Sequence, residues 1–251
     1  MSEDTTKNEC AEEAQPDFSC RAYLLPHINN EGIRFGAIAL FITCIVAIAS
    51  RWVPLLGYLV VPLGLLSWGV FLFFRDPERY PPLDEGAILS PADGRVCLIE
   101  ECEFPDSLGE LEEHKGKKHW RVSVFMSVFN VHVNRMPTTG VILKKEYVAA
   151  GKFLNASLDK ASKENERCNY LVRTTKPDGN TAEYAVTQIA GLVARRIVPQ
   201  VEEGDNKSRA ERFGLIRFGS RLDVYLPEGV KPCVRIGQIM VAGETRIAQL
   251  A

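Results

Sequence analysis

No pair among the seven cysteines (10, 20, 44, 97, 102, 168 and 233) has Cys-x-x-Cys spacing. Their odd number and scatter argue against a disulfide framework and a zinc site, and fit a reducing compartment. Neither charge is in excess: 30 basic and 32 acidic residues leave −2 at pH 7. A nucleic-acid partner is therefore not indicated, since that needs a basic footprint. There is no internal repeat and no Met-Lys pair of the kind that tips a lipoyl or biotinyl carrier hairpin. Histidine is scarce, with only four residues, so few side chains can titrate near neutral pH as general acids or bases. The composition, 46% hydrophobic and 25% charged, otherwise suits one globular domain with its own core.

Charge is also missing locally. Between Phe35 and Phe74 the only charged residue is Arg51. As a helix, 35–50 reaches only ~24 Å, short of a hydrocarbon core of roughly 30 Å. The run 52–74 could reach ~35 Å, but Pro54 and Pro62 interrupt it. Two arrangements fit, a transmembrane hairpin or a kinked hairpin within one leaflet, with a buried core helix pair as the plain alternative. Either membrane arrangement returns the chain to its starting side, and Arg34, Arg75 and Arg79 flank the segment, which points to the cytoplasmic side of a cell membrane. Residues 1–34 carry three bases against seven acids. They read as a flexible acidic tail, too acidic for the n-region of a secretory signal.

From residue 75 onward the pattern is β. Pro77, Pro81 and Pro82 make a stiff connector, followed by short Val- and Ile-rich runs broken by Asp-Gly and Pro-Asp-Gly turns. Strands are expected at 95–99, 120–126, 144–149 and 181–189, and one helix at Asn155–Glu166. The charged stretch 100–118 reads as a surface loop with room for a helical turn, His114 and His119 being solvated. The expected fold class is α+β, predominantly β: a sandwiched-barrel-like domain over 75–251 behind an apolar helical hairpin at 35–74.

Within Arg217–Pro227, Leu222, Val224 and Leu226 alternate with Asp223 and Tyr225, the pattern of a half-buried strand. The Gly219-Ser220 pair forms the joint before it. Glycine opens backbone geometry closed to other residues, and the following hydroxyl could turn back on the Gly219 carbonyl, as an N-to-O acyl shift requires. A turn glycine followed by a turn serine describes the same pair. In Phe129–Asn134, period two places Asn130, His132 and Asn134 on one face. That face is either a catalytic row or the solvated side of a strand.

The segment Arg217-Phe218-Gly219-Ser220-Arg221-Leu222-Asp223-Val224-Tyr225-Leu226-Pro227 resembles the processing site of phosphatidylserine decarboxylases in their short prokaryotic form. The likeness extends to Ser90-Pro91-Ala92-Asp93-Gly94, to Phe125–Pro137, to Asn165-Glu166-Arg167 and to Gln188–Arg196. The resemblance implies self-cleavage between 219 and 220 into fragments 1–219 and 220–251, which stay associated as a heterodimer. It also implies a covalent pyruvoyl group made from Ser220, which binds the substrate amine as a Schiff base, and a phospholipid substrate at a membrane. A metal is not called for, and a homo-oligomer is left open. Asp93 matches an aspartate of the family's self-processing relay, and His132 is the candidate proton donor. Longer family members have a second histidine where this chain has Arg135. A guanidinium cannot act as a base, so the base for cleavage is left between His132 and Asp93. Asn165-Glu166-Arg167 reads equally well as a substrate-side polar group or a salt-bridged helix end. A membrane-anchored phosphotransfer or carrier module with His132 as phosphoacceptor is the competing reading.

Overall fold

The computed structural model describes residues 27–149, 165–191, 196–217 and 219–250. The expected tail up to residue 26 and most of the expected Asn155–Glu166 helix lie outside the described residues.

Two apolar helices lead. Helix α1 spans Asn30–Ala49, with the Asn29 carboxamide accepting from the Glu31 amide at its start. A 3-10 turn at Pro54–Leu56 feeds α2, Gly57–Phe73, which carries Pro62 inside it. The first helix is longer than its uncharged run, because Asn30–Arg34 join it. Its 20 residues thus span about 30 Å, the thickness of a hydrocarbon core. The helices pack where the residues are small. A Cβ on Gly32 would lie 2.1 Å from Phe74, and one on Gly36 2.3 Å from the Phe71 ring. Thr43 and Ser67 hydrogen-bond across the pair at 3.1 Å, as hydroxyls do between apolar helices. Leu40, Phe41, Leu55, Tyr58, Leu65 and Leu66 are exposed, so this is not a buried core pair. By length and composition both helices could cross a membrane. The two ends are clasped: Asn29 N–H donates to Phe74 O at 3.0 Å, and Asp76 N–H to His27 O at 2.6 Å.

The rest is mostly strand. In chain order these are β1 Ala87–Leu89, β2 Gly94–Cys102, β3 His119–Met126, β4 Val133–Arg135, β5 Gly140–Val148, β6 Arg167–Thr175 and β7 Thr181–Ala190. Then come β8 Ile197–Pro199, β9 Asn206–Lys207, β10 Arg212–Ile216, β11 Ser220–Tyr225, β12 Ile239–Met240 and β13 Arg246–Gln249, with a one-turn helix α3 at Asp106–Gly109. Eight form one sheet in the order β12-β2-β3-β11-β7-β6-β5-β9, and β4-β10-β8 form a second of three strands. The predominantly β, α+β fold behind an apolar hairpin is as the sequence predicts.

The strand β11 is central, antiparallel to β3 on one side and β7 on the other. All six of its residues are buried, so the expected half-buried strand is corrected. The polar face is closed by charge pairing: Arg221 donates to both Asp223 oxygens at 2.8 and 2.9 Å, and Arg121 lies 3.8 Å from Asp223. The other face carries Ser220, Leu222 and Val224, the last two belonging to the main core.

The 100–118 stretch is also corrected. Phe104 and Leu108 are buried in a second apolar cluster with Leu171, Ala185 and Tyr225. His114 and His119 are buried rather than solvated, both packed on the Phe104 ring. The His119 Nδ1–H donates to Leu226 O at 3.0 Å, and burial pulls the ring's pKa down. His114 Nε2 lies 2.8 Å from Glu183, with Glu113 close by. Apolar residues spaced through a charged stretch were the available signal for this packing.

Candidate active site

Gly219 and Ser220 stand where β11 begins. Gly219 has φ +59°, and a Cβ there would touch nothing within 4 Å. Glycine is therefore required for its left-handed backbone, not for lack of space. Ser220 is fully buried, and its Oγ has no hydrogen-bond partner among the described residues. A buried hydroxyl without a partner costs free energy, and such a cost is common where a group is kept for chemistry.

His132 is brought to this joint. The expected strand through 129–134 is corrected: Ser127–Asn130 is a turn, in which the Asn130 carboxamide accepts from Ser127 N–H and Oγ at 2.9 and 2.8 Å. Only Val133–Arg135 is strand. The shared polar face dissolves with it, since Asn130 holds the turn and Asn134 accepts from Gln188 at 2.8 Å inside the core. His132 itself is 1% exposed, which removes the solvated-face reading. Its Nδ1 lies 2.9 Å from Asn130 O. A carbonyl only accepts, so Nδ1 carries the proton and Nε2 the lone pair. Nε2 faces the Gly219 amide nitrogen at 3.3 Å. The ring packs at a tilt of 34° against Phe73, the last residue of α2, with centroids 4.2 Å apart. Burial drives the imidazole's pKa down to about 4, with Arg75 adding to the effect. The ring is therefore neutral at pH 7.

Asp93 is placed differently. Both oxygens bind Arg79, at 2.9 and 2.8 Å, and one also accepts the Ala242 N–H at 2.8 Å. None of its described hydrogen bonds goes to His132 or Ser220. Arg135 has a structural partner: it is buried, donates to Asp76 at 3.0 Å and to the carbonyls of Pro77 and Ala210, and shares Asp76 with Arg212.

Residues 67–248 match the family model described as phosphatidylserine decarboxylase. The chain belongs to the phosphatidylserine decarboxylase family. It is accordingly a decarboxylase, a lyase. Among curated relatives it is 50% identical over 233 residues to the phosphatidylserine decarboxylase proenzyme of Erythrobacter litoralis, covering 90% of this chain and 88% of the relative. It is 51% identical over 230 residues to that of Ruegeria pomeroyi, covering 92% and 98%. The corresponding protein of Cereibacter sphaeroides is 52% identical over 223 residues, covering 89% and 90%.

In this phosphatidylserine decarboxylase family member, Asn165 and Glu166 lie closer to the joint than the sequence indicated. Ala190 is the β7 partner of Ser220. Asn165 donates to Ala190 O at 2.7 Å, and Ala190 N–H donates to Glu166 O at 2.9 Å. The Glu166 carboxylate accepts from Ile197 N–H and Tyr147 OH at 2.9 and 2.7 Å. These residues pin the end of β7 that lies beside Ser220. The helical periodicity of 155–166 concealed them, because only the pairing of β7 with β11 brings them to the site.

Proposed function

We propose that the chain is a membrane-associated proenzyme that cleaves itself between Gly219 and Ser220 and then decarboxylates phosphatidylserine to phosphatidylethanolamine and CO2. The observation that carries this reading is the left-handed Gly219, followed by a buried Ser220 hydroxyl without a partner among the described residues, with His132 Nε2 accepting from the Gly219 N–H at 3.3 Å.

The Ser220 oxygen attacks the Gly219 carbonyl carbon as the C–N bond breaks, giving an ester and a free amine on residue 220. Loss of the proton from the Ser220 α carbon then breaks the Cβ–O bond, and fragment 1–219 leaves with a carboxylate. The dehydroalanine left behind tautomerises to an imine, and water releases ammonia to leave a pyruvoyl group. The residues present fit that product, since Ser220 sits at a strand start where a new N-terminus stays buried. A pyruvoyl group offers a carbonyl for Schiff-base formation with the substrate amine and an electron sink for the charge left by departing CO2.

His132 takes the nearby proton in cleavage through Nε2 and returns one to the substrate carbon in turnover. Asp93 holds the fragments together, because Ala242 lies in 220–251 and Arg79 in 1–219. The three strands of the short fragment, β11, β12 and β13, all pair with strands of the long one, so cleavage leaves a heterodimer. The exposed apolar hairpin supports anchoring at the membrane that holds the substrate, on the cytoplasmic side given the flanking arginines.

The test is intact-mass measurement together with CO2 release from phosphatidylserine vesicles by the full chain. A blocked 220–251 fragment appearing in step with CO2 release is the expected result. An uncleaved chain that releases CO2 would overturn the pyruvoyl route.

A further inference from the structure

Among the described residues, the buried contacts between the hairpin and the β domain gather beside the candidate active site. Apart from the inter-helix contacts, its buried residues are at the ends of the helices, where Phe73 and Phe74 join Leu215 with Ile28, Val70 and Val198 packed around them. Phe73 packs against the His132 ring at a tilt, with centroids 4.2 Å apart. It meets Phe74 edge-on at 4.9 Å, and Phe74 stacks on Phe35 of α1 at 5.8 Å. From the other side, Arg217 lies two residues before Gly219. Its guanidinium sits 5.1 Å over the Phe35 ring and pairs with Glu31 in the first turn of α1. One element therefore touches the imidazole through α2 and the segment leading to the Gly219-Ser220 joint through α1.

We propose that the hairpin is a positioning element of the active site as well as an anchor: Phe73 holds the His132 imidazole and keeps water from it, and the Glu31–Arg217 pair holds the segment entering Gly219-Ser220. This rests on the reading of His132 and Gly219-Ser220 given under Proposed function. The physical basis is that the imidazole is held at its edge by Asn130 O on Nδ1 and by a long contact from the Gly219 N–H on Nε2, while Phe73 packs against its face. Two edge contacts, one of them long, leave the ring's tilt and its dryness to packing, and part of that packing comes from outside the β domain. The charges on neighbouring segments are Arg75 after α2, Arg135 and Arg212 on Asp76, and the Glu31–Arg217 pair. Of these, Arg75 acts on His132 directly and in the same direction as burial.

The experiment compares Phe73→Ala, Phe73→Leu, Glu31→Gln and His132→Ala in the full chain in detergent. Self-cleavage is followed by fragment appearance from pH 5 to 8, and folding by thermal melts. In Phe73→Ala, water reaches the ring and its pKa rises toward the ordinary histidine value. Cleavage at pH 5 relative to pH 7.5 should then fall by about ten- to thirty-fold compared with wild type. Phe73→Leu, which keeps an apolar cover, should largely restore the acid limb. Glu31→Gln should slow cleavage several-fold at every pH without moving that limb. If Phe73→Ala does not fold, Phe73→Val is read in the same way. Wild-type rates and limb in the Phe73 and Glu31 variants, with His132→Ala impaired, would overturn the positioning role alone. Unimpaired cleavage in His132→Ala would instead remove the reading beneath it.

Discussion

The Nε2 atom of His132 lies 3.3 Å from the amide nitrogen of Gly219, while its Nδ1–H is held by Asn130 O. The lone pair of Nε2 therefore meets the Gly219 N–H, one peptide before the proposed Gly219–Ser220 cleavage point, in the tautomer that can accept a proton. The contact is long for a hydrogen bond, so it costs little to exchange for the Ser220 hydroxyl. A pKa near 4 keeps the ring neutral over the physiological range, which preserves the lone pair at the expense of base strength.

His132→Ala should lose decarboxylation by roughly 10²–10⁴-fold, the usual cost of removing a general acid or base. Its self-cleavage should be slower but still detectable, because the Gly219 backbone and the Ser220 hydroxyl are unchanged. Fragment appearance and CO2 release, followed in one sample, measure the two effects separately. Normal values for both would make His132 a packing residue.

Ser220→Ala should remain a single inactive chain, since alanine can neither attack Gly219 nor become a pyruvoyl group. It should also be at least as stable as an uncleaved wild-type chain, gaining on the order of 1 kcal/mol, because the hydroxyl it removes is buried without a partner among the described residues. Denaturant unfolding checks this, and a clear loss of stability would mean that the hydroxyl has a partner.

That Gly219, Ser220 and His132 lie together follows from the family resemblance rather than from short-range pattern, because a turn glycine before an alternating run and a histidine in a β-rich context also describe a plain turn and a solvated strand face. Burial was read less well. Alternation in β11 reads as one wet face, yet Arg221 and Asp223 neutralise each other and Arg121 closes the face, so the strand is buried on both sides. The lysines around His114 and His119 in sequence point to solvated side chains, whereas their partner Phe104 lies ten residues before the first of them. Asn165 and Glu166 could not be placed, because only a long-range strand pairing brings them beside Ser220.

Arg135 stands where longer family members carry a histidine, and its guanidinium is bound to Asp76, Pro77 O and Ala210 O. Arg135→His should therefore not accelerate cleavage. It should cost about 3 kcal/mol, the lower end for breaking a buried ion pair, because Asp76 still keeps Arg212. The denaturation midpoint and the cleavage rate at pH 7.5 test this together. Faster cleavage would mean that a second imidazole can be accommodated at the site.

Stability should fall with acid through His132. The ordinary value is 6.5 and the folded one about 4, so below pH 6.5 the unfolded chain takes a proton that the folded chain refuses. The stability present above pH 6.5 is lost progressively as pH falls to about 4, by on the order of 3 kcal/mol. His119, also lowered by burial, adds to the same trend. In a Ser220→Ala background, where processing does not interfere, denaturant titrations from pH 7 to 4.5 should show a shallower fall for His132→Gln. Equal slopes would show that the imidazole is solvated.

Deleting residues 1–74 separates folding from catalysis. The main core cluster contains no residue before Ile88, so the remaining domain should fold and stay soluble. The sequence predicts a domain that still cleaves itself, because every candidate catalytic residue lies beyond Arg75. The contacts of Phe73 with His132 and of Glu31 with Arg217 change that expectation. Without them the imidazole meets water, its pKa returns toward 6.5, and the segment entering Gly219 loses its tether. The truncated chain should show a cooperative melt, cleave several-fold more slowly at pH 7.5 than the full chain, and slow further at pH 5.5. Once matured, it should turn over detergent-dispersed lipid better than bilayers. Failure to fold would make the hairpin part of the core, and full-speed cleavage at both pH values would reduce it to an anchor.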